Sequence, residues 1–164
     1  MKSLISRESH RPEKRYSGVY HIQGGMVTDA DLDERSRITQ DRTDNLGDDT
    51  IRDGVPAKGG VAAIAADGSV SLREGDVYAD GVRGMVTLRE GETIDGSFDL
   101  FDKQADFPLS PGLASGDQLI YADIWDRPVH ALEDPYLADA GLHGAVTAFR
   151  MRTMAQLKAA PLSE

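Results

Sequence analysis

Hydrophobic and polar residues alternate most clearly in two stretches of the C-terminal half. Leu119-Ile120-Tyr121-Ala122-Asp123-Ile124-Trp125 is rich in aromatic and β-branched residues, the composition of a strand. Alternation sends Ile120, Ala122 and Ile124 to one face and Tyr121, Asp123 and Trp125 to the other. The first face is small and apolar and suits a core. The second mixes two rings with a carboxylate and suits a second layer or a protein partner. Pro128 has no backbone donor, so the strand cannot run on as a central one much past Arg127. Glu133-Asp134-Pro135 then turns the chain. A lone Trp is far more often core than ligand site, so Trp125 is expected to be buried against Tyr78 or Tyr121. The second stretch, 147–158, has Arg150, Arg152 and Lys158 on one side and Phe149, Met151, Ala155 and Leu157 on the other. Period two predicts a strand with a basic outer face. Its Met, Ala, Gln and Lys keep a helical second half as the competing reading.

The N-terminal third is patterned differently. Residues 1–15 are polar and read either as a loose end or as an arm that orders against a neighbouring subunit. Val19–Gln23, a Gly24-Gly25 turn and Met26-Val27-Thr28 predict a hairpin. Thr28 or Asp29 can cap a helix running to about Leu46, with Gly47 as its stop. The helix carries Leu32, Ile38 and Leu46 as a single thin stripe, too narrow to hold it to its own domain. Those three residues are therefore expected to bury surface against other subunits.

After a connector at 47–60, short apolar runs broken by Asp67-Gly68 and Asp80-Gly81 predict successive hairpins, leading to a further extended run at 98–101. A loop at 104–116 precedes the alternating strand, and 136–144 has room for one helical turn at most. The expected fold is mainly β with one N-terminal helix, an α+β chain. Its β-sandwich or partly open barrel at 54–164 follows an arm, hairpin and helix at 1–53.

Composition narrows the function classes. The 164 residues carry 18 Lys plus Arg against 28 Asp plus Glu, a net charge of −10, which argues against broad nucleic-acid binding. There is no cysteine, so disulfides, thiolate metal sites and a Cys nucleophile are excluded. No apolar run reaches the ~18 residues of a membrane span, and the N-terminus lacks a signal-peptide core.

Candidate chemistry is thin. His10, His21, His130 and His143 have no metal-type spacing, and there is no nucleophile elbow, phosphate loop or dinucleotide fingerprint. Asp29, Asp31 and Asp33 match the start of a calcium loop. Glu34 stands where that loop needs Gly, however, and Gln40 where it needs Glu. His130 with Glu133 could form an acid–base site, but a polar turn explains them as well. The reading is a non-enzyme without cofactors or metals, and a small-molecule substrate is not expected.

Three blocks in order resemble one family. They are Tyr16-Ser17-Gly18-Val19 through Gln23-Gly24-Gly25 to Asp29-Ala30-Asp31, then Tyr78-Ala79-Asp80-Gly81, then 119–135 with Gly141-Leu142-His143-Gly144 and Arg150–Lys158. Together they are similar to a conserved N-terminal domain, of unknown biochemical activity, of phage tail-fibre-like and contractile-injection-system-associated proteins. Leu32 stands where a Trp is expected, so helix packing should differ. Relatives often continue into a β-helical region, whereas this chain stops at Glu164; a receptor-binding tip is then absent or carried by another protein. The resemblance implies a virion tail, baseplate or fibre component that anchors or joins neighbours, itself included, on a particle assembled in the host or producer cytoplasm. Tyr121, Trp125, Arg150 and Arg152 join Leu32, Ile38 and Leu46 as its interface candidates. The alternative is a carbohydrate- or surface-binding module with Tyr121 and Trp125 as its platform.

Overall fold

The computed structural model describes residues 7–162. Helix α1 (Asp29–Thr50) starts where its cap predicts: Thr28 Oγ1 accepts the Asp31 amide at 3.2 Å, satisfying one of the orphan donors of the first turn. It runs past Gly47 rather than stopping there. Gly47 faces the turn at Gly81, where an added Cβ would lie 2.5 Å from the Gly81 carbonyl. The glycine thus serves close backbone approach, not termination.

Among the described residues six strands form three antiparallel pairs: β1 (Ala62–Ile64) with β2 (Val70–Leu72), β3 (Gly75–Ala79) with β4 (Val82–Val86), and β5 (Gln118–Val129) with β6 (Arg150–Pro161). The chain is mainly strand with one main helix, and the sheets stay open and close no barrel. Asp80 and Gly81 both have positive φ, the two-residue turn that matches strand twist, so the Asp-Gly signal marks a real hairpin.

Two expected extended segments are not strands. Residues 19–28 form no hairpin; Gly24 turns the chain with one bond from the Gly25 amide to the Ile22 carbonyl. A two-stranded unit with no layer to pack on is marginal by itself. Residues 98–101 enter α2 (Asp99–Lys103), where a helical turn carries Leu100, Phe101 and Gln104 inward. The Asp99–Lys103 ion pair, one turn apart at 3.1 Å, supports that geometry.

The core gathers Val61, Leu72, Val77, Val86, Leu100 and Phe101 under Ala155 and Leu157 of β6, with Ile120, Ala122 and Ile124 of β5 packed against it. The apolar side of the alternation is therefore the core side. Gly84 lets β4 lie flat on this surface: a Cβ there would meet the Ala155 methyl at 2.7 Å and Ile124 Cδ1 at 2.9 Å. Beyond the core, between β5 and β6, the chain makes two separate 3-10 turns, Pro135–Leu137 and Ala140–Leu142.

Candidate functional site: the β5–β6 ribbon

The ribbon pairs all of β5 with all of β6, from Gln118 opposite Pro161 to Val129 opposite Arg150. The helical alternative for the last segment does not occur, and the strand is shifted three residues towards the C-terminus of the expected span. Because side chains directly opposite share a face, Tyr121, Asp123, Trp125, Arg127 and Val129 lie with Lys158, Gln156, Met154, Arg152 and Arg150 on the outer face. The core face holds their neighbours.

The two ribbon edges are finished differently. Gln104 is 0% exposed; its amide donates to the Leu157 carbonyl at 2.9 Å and accepts the Leu157 amide at 2.6 Å. Asp106 accepts the Ala155 amide at 3.0 Å. At Ala155 and Leu157 these side chains take the place of a neighbouring strand. The buried Gln104 amide also donates to the Phe101 carbonyl, so it is satisfied at both ends. Sequence reading placed Gln104 in a loop and missed this role. Its signal was position: a polar residue one turn after the apolar Leu100-Phe101 pair.

The Leu157 bonds also determine hydrogen-bond parity. Since its N–H and C=O point away from β5, the Ala122–Leu157 pair is a non-hydrogen-bonded one, as is every second pair along the ribbon. Ile120, Ala122, Ile124 and Asp126 therefore turn their backbone groups outward on the far side of β5. Pro128 and Pro161 fall at positions of the same parity, where a missing N–H breaks no ladder bond. The strand accordingly runs through Pro128 to Val129. Among the described residues, no strand or side chain bonds the outward backbone of β5.

On the outer face, Asp123 Oδ2 accepts from Lys158 at 2.6 Å and from Gln156 at 3.1 Å. The Lys158 bond first, and then Gln156, hold its carboxyl below the usual range, and the same pairing raises Lys158. The basic residues of the last strand, in so acidic a chain, are expected to face carboxylates of its neighbour, with Asp123 and Asp126 the nearest candidates, and the expectation holds for the Asp123–Lys158 pair. It fails for Asp126, which lies on the other face and accepts from Thr153 Oγ1 at 2.7 Å. Arg152 instead stands opposite Arg127, 4.0 Å from Asp106, while Arg127 bonds Glu133 at 2.6 Å and lowers its pKa. Arg127, Arg150 and Arg152, with Val129, Glu133, Asp134 and Leu137, line an open cleft of about 410 Å³ at this end of the ribbon. Glu133 is thereby engaged by an arginine. His130, the other half of the suggested acid–base pair, packs its ring 5.5 Å from Phe149.

Trp125 is not buried against Tyr78 or Tyr121. It lies on the outer face at 36% exposure, and Tyr121 on the same face is four residues away, about 13 Å along the strand. The alternation placed its face correctly; no second layer covers that end. Tyr121 is likewise exposed.

The helix stripe divides. Leu32 and Leu46 are exposed, but Ile38 is 3% exposed within its own chain, which corrects its assignment to an intersubunit surface. The described part of the arm, residues 7–15, touches the same helix, with residues 1–6 lying outside the described residues: Ser9 Oγ donates to the Ala30 carbonyl at 3.4 Å and His10 bonds Asp41 at 2.5 Å. Polar contacts do what the thin stripe could not, and composition alone hides them. Among the described residues no group of His, Cys, Asp or Glu could hold a metal, and no helix is long and apolar enough to cross a membrane.

Comparison with known proteins matches residues 1–161 to the Family of unknown function (DUF6519), so the chain belongs to that family. No curated protein and no solved structure matches it.

Proposed function

We propose that this member of the family is a structural adaptor of a phage tail or tail-like injection particle, joining copies of itself to baseplate or fibre proteins rather than catalysing a reaction. The observation that carries the reading is segment 16–28, which holds large apolar side chains against nothing: Tyr20 is 90% exposed, Ile22 84% and Met26 88%. Such a cluster in a segment that carries no Asp or Glu of its own is a surface that a partner covers. The three-block resemblance supports the tail setting, and Leu32 and Leu46 are exposed as well.

The triple substitution Tyr20→Ser, Ile22→Ser, Met26→Ser tests this. Expected is an unchanged melting temperature with lost co-sedimentation on assembled tail particles. Wild-type protein that never associates with such particles sinks the reading.

The glycan-binding alternative draws support from the exposure of Tyr121 and Trp125 around Asp123. Screening the wild type against surface polysaccharides, with Trp125→Ala as control, decides it. Saturable binding that the variant loses favours a module that holds sugar directly.

A further inference from the structure

We propose that the outer edge of β5 pairs antiparallel with the same edge of a second copy, about a two-fold axis at Trp125. This deepens the adaptor reading, whose self-association it places on one strand. Three features of β5 carry it. First, its outward backbone groups at Ile120, Ala122, Ile124 and Asp126 have no partner among the described residues, whereas the middle of the far edge of β6 is occupied by Asp106 at Ala155 and by Gln104 at Leu157. Second, no residue of this 12-residue strand is fully buried, while β6 buries four in a row, Met154 to Leu157. A long open edge with apolar side chains is a template for another strand.

Third, the outer-face residues are self-complementary. Read against itself about Trp125, the strand sets Tyr121 opposite Val129, Asp123 opposite Arg127 and Trp125 opposite Trp125. Each is an apolar pair or a pair of opposite charges, the combinations that stabilise cross-strand neighbours. An axis at Asp123 or at Asp126 would instead oppose like carboxylates. Asp123 keeps Oδ1 free of hydrogen bonds among the described residues, and Arg127 uses one terminal nitrogen on Glu133, so both retain capacity for a second partner. In this register the Ile124 and Asp126 backbones exchange bonds across the axis, and the Ala122 amide reaches the Pro128 carbonyl. Pro128 has no donor to offer in return, which weakens longer ladders.

Ala122→Pro tests the edge, because it removes an outward donor and no ladder bond. Trp125→Lys places like charges on the axis from the outer face of the strand. Either should weaken self-association by about 100-fold in sedimentation velocity with an unchanged circular-dichroism spectrum. Deuterium exchange at Ala122 and Ile124 in the wild type should slow as concentration rises.

A wild type that stays monomeric at about 100 μM, well above the affinity of a specific dimer, overturns the proposal. So does a dimer that Trp125→Lys leaves intact with those amides unprotected. Loss of tail-particle association with the dimer retained would count against the adaptor reading alone.

Discussion

The β5–β6 ribbon has two edges built from similar backbone and finished in opposite ways. Along β6, Gln104 and Asp106 supply by side chain the donors and acceptors a neighbouring strand would have supplied, and the residues they touch are the most buried of the ribbon. Along β5 the outward groups meet nothing described, and the flanking side chains stay half exposed. The difference arises from what the loop after α2 can reach. Burying Leu100 and Phe101 brings Gln104 within range of β6, and nothing comparable lies beside β5. Stability is thus concentrated on one edge and exposed bonding capacity on the other.

The sharpest way to break this contrast is to open the closed edge. Gln104→Ala leaves the Leu157 amide and carbonyl buried without partners and should destabilise the fold by about 2–4 kcal/mol in urea unfolding; a loss under about 1 kcal/mol would mean water replaces the side chain readily. Asp106→Ala removes one charge-assisted acceptor from the Ala155 amide, and a smaller loss of about 1–2 kcal/mol is expected. On the open edge, Trp125→Ala should cost about 1 kcal/mol or less. A buried tryptophan would cost about 3–5 kcal/mol, a value that would place the ring under cover after all.

The smallest expected effect is at Asp123. Its pKa is lowered in the fold, so its pairing with Lys158 stabilises above the unfolded value of 3.8 and is lost as pH falls through the lower folded value. Asp123→Asn should therefore cost a small amount of stability at neutral pH, a difference that vanishes in acid, so that the variant's stability declines less steeply below about pH 4. Added salt should shrink the difference further, because the pair is open to solvent.

These contrasts also mark what could be read from the residues. Alternation at 119–125 predicted both faces of β5, and Asp-Gly predicted the β3–β4 turn, because both signals are local. Thr28 as a cap was legible for the same reason. The 19–28 hairpin was misread because the same local pattern lacked a layer to pack on, and extended pattern without cover does not make a strand. Leu100-Phe101 was misread because adjacent apolar residues fit a buried helical turn as well as a strand. Trp125 was placed on the right face but under a layer that is not there, and Ile38 is buried within its own chain although the stripe it belongs to is thin. The position of Gln104 one turn after Leu100-Phe101 hinted at burial, but its partner lies 53 residues away, and only the folded backbone brings the two together. Of the site candidates, Arg150 and Arg152 do share a cleft, with Arg127 as the member composition did not suggest.

Gln104 has a consequence beyond the stability of one chain. A sheet open on both sides can recruit strands without limit, which is how soluble proteins become fibres. By occupying the middle of one side with its own amide, Gln104 leaves the other side of this ribbon as the easier place for growth. A symmetric pairing there would consume that place in both copies at once, so assembly through the ribbon would count to two and stop.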